Sequence, residues 1–320
     1  MDRERREHMN KFKKLGLVSV LSGILFLLVF LPQAQSAEAT IPLAATSVTG
    51  AVEDCPYTLI FKLAAVGLHR EDNKSESWGL INANDLDLGW APGMDTSIML
   101  QRERFGVELR YLGLHQWSES KSDFVSADVA DIDAYQSGKY RSRLHNAELN
   151  LHWWPCICCG SDRFNFLVGF RWLRLTDTFS TVLSMSGIND IDDLEMGVNL
   201  SSRNQFWGGQ VGAEGLLFGE RDHGFSIDGV VKVGLFANDI NNHARGYSPE
   251  GSGSIRWERN KTSLITEVGL NANYAFTQNI AMTLGYEFLY LNKVAVPVNN
   301  FGSTQSVIYN GARLGLNFVF

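Results

Sequence analysis

The sequence predicts an all-β fold, a transmembrane antiparallel up-and-down β-barrel of about ten strands, with eight and twelve strands as alternatives. Three observations indicate it. Segments with period-two alternation recur along the chain, the connections between them alternate between short and long, and the chain ends on an aromatic strand. Beyond the leader, no apolar run approaches the roughly 20 residues of a membrane-spanning helix, so a membrane crossing there requires a closed barrel.

The N-terminus has the pattern of a secretory leader. Lysines within 11–14 precede an apolar run over 15–31, and small residues follow it. This order predicts a signal peptide cleaved after Ser36, or alternatively after Ala39, with Met9 as a second candidate start. An inner-membrane anchor is the alternative interpretation, although the run is at the short limit for a membrane span.

These boundaries divide the chain into three parts. Residues 1–36 are the predicted signal peptide, 37–56 a predicted periplasmic segment, and 57–320 the predicted outer-membrane barrel. The last part is long enough for one large β domain. We therefore expect an exported outer-membrane protein that contacts outer-membrane lipid and whose extracellular ligand the sequence does not name.

The predicted strands are segments long enough for the roughly 9 to 11 residues that a tilted membrane strand needs. They lie at 57–69, 84–100, 104–118, 140–154, 164–178, 203–218, 224–237, 258–275, 279–293 and 305–320. Connections after every second segment are short, whereas long polar connections are predicted at 70–83, 119–139, 179–202, 238–257 and 294–304. In bacterial barrels the short turns face the periplasm, so we expect the long loops to be extracellular.

The alternation gives each predicted strand an apolar and a polar face. Leu59, Val107, Phe166 and Leu284 are examples of predicted lipid contacts. Aromatic residues near strand ends are typical of the two membrane interfaces. The aromatic residues assigned to these interfacial girdles are Trp117, Trp153, Trp154, Tyr286 and Tyr290.

Charged residues on the opposite face are predicted to line the lumen, because charges at membrane depth are costly unless they face inward. They are Lys62, Glu108, Arg110, Glu148, Arg171, Glu214, Asp228, Lys232, Glu267, Glu287 and Arg313. The six acids and five bases in this set nearly cancel. We therefore expect ion pairs across a narrow lumen, and both a filled lumen and a conducting pore remain open at this point.

The C-terminal strand ends on Phe320, with Phe318 two residues before it on the same face. A terminal phenylalanine after alternating apolar residues resembles the signal by which barrel-assembly machinery recognises outer-membrane proteins. We therefore predict that this strand contacts that machinery.

Three short stretches resemble a β-barrel porin family of bacterial outer membranes. They are Arg203 to Ala213, Val231 to Asn238, and Gly285 to Tyr290 with the following Val294 and Ala295. The pattern of Phe105 to Trp117 is similar as well, and the resemblance extends from about Tyr57 to Phe320. It implies a porin-like barrel in the outer membrane and transfers no catalytic or binding residue.

Four cysteines fall on the predicted periplasmic rim, at Cys55, Cys156, Cys158 and Cys159. The periplasm is oxidising, so a disulfide between Cys55 and one of the other three is expected, without a choice of partner. A tetrahedral zinc site is the less favoured alternative, because the cluster lacks the paired spacing of zinc ligands.

The sequence contains no recognisable catalytic motif, and we predict no enzyme activity and no cofactor or metal. A hydrolase would need a base and its partner to converge from different loops. The candidates are Asp190, Asp192, Asp193, Asp239, His243, and His115 with Ser118. The net charge of −7 and the pI near 5.5 argue against nucleic-acid binding.

Two functions follow from these expectations. The first is a narrow channel for ions or small polar solutes. The alternative is a non-conducting structural or adhesive barrel whose extracellular loops bind a partner, and an outer-membrane hydrolase is the less favoured third.

Overall fold

Ten strands close into one antiparallel barrel in the computed structural model. The structure describes residues 57–72, 77–78, 81–82, 86, 88–127, 132–155, 163–186, 194–220, 224–298 and 303–320. The barrel strands are β1 (Thr58–Asp72), β4 (Trp90–Arg102), β5 (Phe105–Ala127), β6 (Ile132–Trp153), β7 (Phe164–Ser186), β8 (Leu194–Gly219), β9 (Gly224–Ser248), β10 (Gly251–Ala275), β11 (Ile280–Val294) and β12 (Gln305–Val319). A two-stranded sheet of β2 (Ser77–Trp78) and β3 (Ile81–Asn82) lies in the β1 to β4 connection. The predicted fold class is confirmed.

Each barrel strand pairs with its neighbours in the chain, and β1 closes the barrel by pairing with β12. At the closing seam Leu59 and Phe320 exchange two backbone hydrogen bonds of 3.0 and 2.9 Å. The predicted signal peptide, the 37–56 segment and the four cysteines lie outside the described residues. Among the described residues, no helix is long and apolar enough to cross a membrane.

Strand length divides the barrel into two unequal parts. The strands β5 to β10 contain 22 to 26 residues, whereas β1, β4, β11 and β12 contain 13 to 15. The long strands all extend at the rim opposite the start of β1 and the end of β12 and form a raised wall there, which we call the outer wall. Most of 119–139, 179–202 and 238–257 is therefore strand, and the prediction of long loops there was wrong.

On the long strands, the inner and outer faces exchange polarity part of the way along the strand. On β7, Phe166 and Phe170 face outward while Arg171 is buried inside the barrel. Farther along the same strand the inward residues become apolar, as at Leu175 and Phe179, and the outward residues become polar. The first pattern is that of a strand in lipid and the second that of a strand in water with an apolar core behind it.

A β-bulge changes the facing of residues on β5. The pairing register with β6 shifts between Gly113 and His115, and Leu114 has a φ of 65°. One extra residue moves every later side chain to the other face of the strand. Trp117 is consequently buried in the barrel, 1% exposed, where its indole N–H donates to the Leu68 carbonyl oxygen at 3.2 Å. Its predicted place in an interfacial girdle was wrong, and the buried Trp154 also faces inward.

Part of the β11 to β12 connection folds into the barrel instead of outward. Residues Val294 to Val298 are buried, and Asn204 on β8 binds both the N–H and the carbonyl oxygen of Ala295, each at 2.8 Å. Asn238 on β9 donates to the carbonyl oxygen of Lys293 at 3.0 Å. The side-chain amides of Asn204 and Asn238 thus supply hydrogen-bond partners to backbone groups that would otherwise be buried without any. The predicted polar loop at 294–304 therefore begins as part of the core.

Candidate functional site: the barrel interior and its outer mouth

Arg110 on β5 is the centre of a charged layer inside the barrel. Its guanidinium donates to both carboxylate oxygens of Asp95 on β4, at 3.0 and 2.9 Å. It also donates to Glu148 on β6 and Glu287 on β11, each at 3.3 Å, and to Glu267 on β10 at 2.5 Å. The planar guanidinium can satisfy several acceptors at once, which suits it to this position.

The contact between Arg110 and Glu267 spans the lumen. In the closed strand order, four strands separate β5 from β10 in either direction, so these two strands stand on opposite walls. A hydrogen bond between their side chains therefore crosses the full width of the barrel. Both side chains are buried.

Glu148 is the second centre of the layer. It accepts hydrogen bonds from Arg171 on β7 at 2.6 Å and from Lys232 on β9 at 2.9 Å. The amide of Gln210 on β8 donates to the same carboxylate at 2.9 Å. This buried carboxylate is therefore fully surrounded by donors, which offsets the cost of removing its charge from water.

The remaining members complete a neutral set. Arg171 and Lys232 also contact Glu267, and Arg313 on β12 bridges Asp95 and Glu287. We call these eight residues the charged layer: Asp95, Arg110, Glu148, Arg171, Lys232, Glu267, Glu287 and Arg313. Four carboxylates face four cations, so the layer has no formal net charge.

The other residues predicted to line the lumen lie nearer the rim where β1 begins and β12 ends. Glu108 accepts from His152 and from Asn150, each at 3.2 Å. Glu214 accepts a 3.4 Å hydrogen bond from Asn165, and Asp228 accepts one of 2.6 Å from Asn273. Lys62 is half-buried on β1. The structure thus brings seven of the eleven predicted residues into the charged layer and leaves these four outside it.

Three charged residues of the interior are absent from the sequence prediction. Asp95 follows the period-two alternation of β4, but its outward neighbours Met94 and Thr96 give that strand too little contrast to mark a lumen face. Arg70 on β1 and Asp177 on β7 form a bidentate pair at 2.7 and 2.9 Å, and both are fully buried. This pair also crosses the barrel, since three strands separate β1 from β7 by the shorter path.

Above the charged layer, toward the outer wall, the lumen is filled mainly by apolar side chains, which surround the buried Arg70–Asp177 pair. We call this group the apolar plug; its members include Leu68, Leu86, Leu112, Trp117, Tyr140, Leu173, Phe179, Phe206, Phe236, Leu289 and Tyr309, all at most 2% exposed. They come from both halves of the barrel and from the connections that fold inward. Packed interiors of this kind leave few voids larger than a water molecule.

Beyond the plug, the inner face of the outer wall borders an open cleft of about 500 Å³. Side chains of β6, β7 and β8 and glycines of β9 and β10 line it, including Gln136, Thr181, Leu183, Met196, Val198, Gly246 and Gly253. Gln136 donates to the Thr181 hydroxyl oxygen at 2.8 Å. The cleft is thus mainly apolar, with polar groups at one side.

Among the residues considered for a hydrolase, those that the structure describes do not assemble into one site. His115 is buried and stacks on Trp117, with ring centroids 5.6 Å apart, whereas Ser118 is exposed. Asp239 and His243 are exposed on β9. Asp190, Asp192 and Asp193 lie outside the described residues.

The two C-terminal phenylalanines lie at the closing seam. Phe318 stacks on Phe61 of β1 with ring centroids 6.3 Å apart, and Phe320 is exposed beyond the end of β12. Their accessibility to assembly machinery stays a prediction.

Solved structures similar to this chain are outer-membrane barrels. The outer membrane protease OmpT from Escherichia coli is 12% identical, over 82% of this chain and 96% of its own, with a TM-score of 0.48. The attachment invasion locus protein Ail of Yersinia pestis is 12% identical, over 82% and 98%, with a TM-score of 0.27. The translocator domain of the autotransporter NalP from Neisseria meningitidis is 11% identical, over 83% and 89%, with a TM-score of 0.31. Similarities this remote transfer no activity.

Among curated proteins, none is significantly similar to this chain in sequence. A family model described as "Putative beta barrel porin-7 (BBP7)" matches residues 131–307. The match covers more than half of the chain, from β6 through β11, and includes five members of the charged layer. With the closed ten-stranded barrel, this match shows that the chain belongs to the beta barrel porin-7 family.

Proposed function

We propose that this protein is a closed, non-conducting barrel of the outer membrane whose working surface is its outer wall. The observation that carries the proposal is the 2.5 Å hydrogen bond between the side chains of Arg110 and Glu267, because these residues come from opposite walls of the barrel. The side chains of the charged layer are at most 13% exposed, which indicates that they fill the lumen at this level and leave little space for a hydrated ion. The alternative of a narrow channel requires this layer to open.

The apolar plug supports the same proposal. A hydrated ion that passed the charged layer would next meet buried residues such as Leu173, Phe179 and Phe206, which offer it no hydrogen bonds. Apolar constrictions exclude water and act as barriers in channels. The lumen is therefore closed by two chemically different layers in series.

The outer wall is the part of the barrel that is available for binding. Its six strands extend well beyond the four short ones, and their inner face borders the cleft of about 500 Å³. This volume falls within the range of about 300 to 1,000 Å³ that is typical of ligand pockets. We assign contact with an extracellular partner to this wall, export to the leader 1–36, and assembly to the strand ending at Phe320.

Single-channel recording tests the proposal. The chain without residues 1–36 is refolded, its folded state is checked by resistance to protease, and it is inserted into a planar bilayer beside an open porin as a positive control. We expect insertion without stable current steps. Stable steps would contradict the proposal, most clearly if Arg313→Gln changed their size while Arg256→Gln on the exposed wall did not.

A further inference from the structure

The outward face of β6, β7 and β8 carries a group of cations just beyond an aromatic girdle. The girdle is marked by Trp172 on β7 and Trp207 on β8, which are paired across the two strands with ring centroids 5.9 Å apart. The cations are Lys139, Arg141, Arg143, Arg174 and Arg203, and we call them the basic patch. All are exposed except the half-buried Arg174.

The strand register places these side chains side by side. Arg143 on β6 is opposite Thr176 on β7, which is in turn opposite Arg203 on β8. Residues directly opposite each other on neighbouring strands share a face and lie about 5 Å apart, so the two guanidinium groups flank one threonine hydroxyl. In the next row, Arg141 is opposite Thr178.

Within the part of the chain that the structure describes, none of the five cations has an acidic partner. Arg256 on β10 differs, because it forms a 3.0 Å ion pair with Glu258. The outward acid nearest to the patch is Asp239 on β9, which is opposite Gln205 and therefore diagonal to Arg203, whereas Asp133 and Glu195 lie farther out along the wall. Five like charges in adjacent rows repel one another, so a compensating anion is expected there.

The position of the basic patch relative to the membrane boundary indicates which molecule supplies that anion. Tryptophan girdles mark the boundary between hydrocarbon and headgroups. Arg174 lies two residues beyond Trp172, and Arg203 four residues beyond Trp207. At about 3.3 Å per residue along a strand tilted by about 45°, this places Arg174, Arg143 and Arg203 roughly 5 to 10 Å above the hydrocarbon, at the level of the headgroups. Arg141 and Lys139, opposite Thr178 and Ser180, lie about 14 and 19 Å above it by the same geometry, toward the outer side of the headgroup layer.

We propose that the basic patch binds the phosphate headgroup of an outer-leaflet lipid. Arginine presents paired N–H donors that match phosphate oxygens in a bidentate arrangement, and the threonine hydroxyls between the arginines add further donors. The acyl chains of the same lipid would continue along the apolar belt below, where Phe170 and Trp207 are exposed. Arg174 stacks over Trp172, its guanidinium carbon 5.2 Å from the ring centroid, and joins the two regions.

Native mass spectrometry of the whole barrel in a zwitterionic detergent tests this. The probe is lipid A with two phosphates, compared with the same lipid after its phosphates are removed. We expect the phosphorylated lipid to bind at least about tenfold more tightly, and the R141Q/R143Q/R203Q variant to lose that preference, since each cation contributes on the order of fivefold.

A matched control removes the same charge at the opposite rim, where Arg102, Arg104 and Arg163 are located. The R102Q/R104Q/R163Q variant should keep the preference for the phosphorylated lipid. Equal losses in the two variants would show a nonspecific effect of charge and overturn the proposal. Equal binding of the two lipids by the unaltered barrel, or displacement of the lipid by inorganic phosphate at similar concentration, would overturn it as well.

Discussion

Replacing Arg110 by methionine should strongly destabilise the barrel without opening it. The change removes a buried guanidinium that contacts four carboxylates, Asp95, Glu148, Glu267 and Glu287. Methionine is long enough to occupy part of the vacated space. The three remaining cations of the charged layer would then face four carboxylates, so one negative charge is left uncompensated inside the barrel.

The size of the expected loss in unfolding free energy follows from the burial of Arg110 and its partners. Removing one partner of a buried ion pair costs about 3–5 kcal/mol, because the charge left behind has lost its solvent without compensation. The four contacts of Arg110 do not add, since Arg171, Lys232 and Arg313 continue to bind the same carboxylates. We therefore expect R110M to lower the free energy of unfolding by about 3–5 kcal/mol and not by a multiple of it.

The assay is unfolding in guanidinium chloride with the protein in phospholipid vesicles, followed by tryptophan fluorescence. Arg256→Met is the matched control. The Arg256 pair with Glu258 is about two-thirds exposed, 64% and 66%, so its loss should cost at most about 1 kcal/mol. A double-mutant cycle of R110M with Glu267→Gln should show a coupling energy of about 1 kcal/mol or more.

Two results would refute this reasoning. A loss below about 1 kcal/mol for R110M, equal to that of the exposed control, would mean that the charged layer is solvated and not buried. The appearance of stable ion conductance in R110M alone would mean that the apolar plug does not close the lumen.

Two further predictions concern packing, and both use the same unfolding assay. Phe206→Ala should cost about 3–5 kcal/mol by leaving a cavity in the apolar plug, whereas the lipid-facing Phe218→Ala should cost much less. Gly311→Ala should cost about 1–3 kcal/mol, because its Cβ would lie 1.9 Å from the Gly67 carbonyl oxygen at the seam between β1 and β12. Gly253→Ala, which meets nothing within 4 Å, should be neutral, and equal effects of the two glycine changes would contradict the second prediction.

The lower part of the barrel could be predicted from the sequence because lipid enforces a strict rule there. Outward residues such as Phe166 must be apolar, and inward residues such as Arg171 and Glu267 can then be identified by position alone. All ten strands and the near balance of inward acids and bases follow from this rule, although Asp95, which completes the neutral charged layer, does not. The pairing of Arg110 with Glu267 does not, because alternation gives the face of a residue and not its partner across the lumen.

The upper part of the barrel could not be predicted, because the rule that lipid imposes does not apply there. Once the outer wall leaves the membrane, polar residues such as Ser118 and Ser120 face water on the outside, and their composition is that of a loop. The bulge at Leu114 then exchanges the two faces of β5, and one unrecognised extra residue is enough to move Trp117 from the surface to the core. The inward folding of the Val294 to Val298 segment depends on Asn204 and Asn238, which are distant in sequence.

The charged layer also bears on the order in which the barrel assembles. Arg110 and Glu267 are 157 residues apart in the chain, and Asp95 and Arg313 are 218 apart. A sheet of only β4 to β7 gives Arg110 two of its four carboxylates, and the rest arrive with the last strands made. The charged residues of that partial sheet, Asp95, Arg110, Glu148 and Arg171, pair among themselves, whereas the hydrogen bonds to Glu267 and Glu287 require β10 and β11. We therefore expect the bonds that cross the lumen to form only as the barrel closes, so that the charged layer stabilises the complete barrel more than any partial sheet.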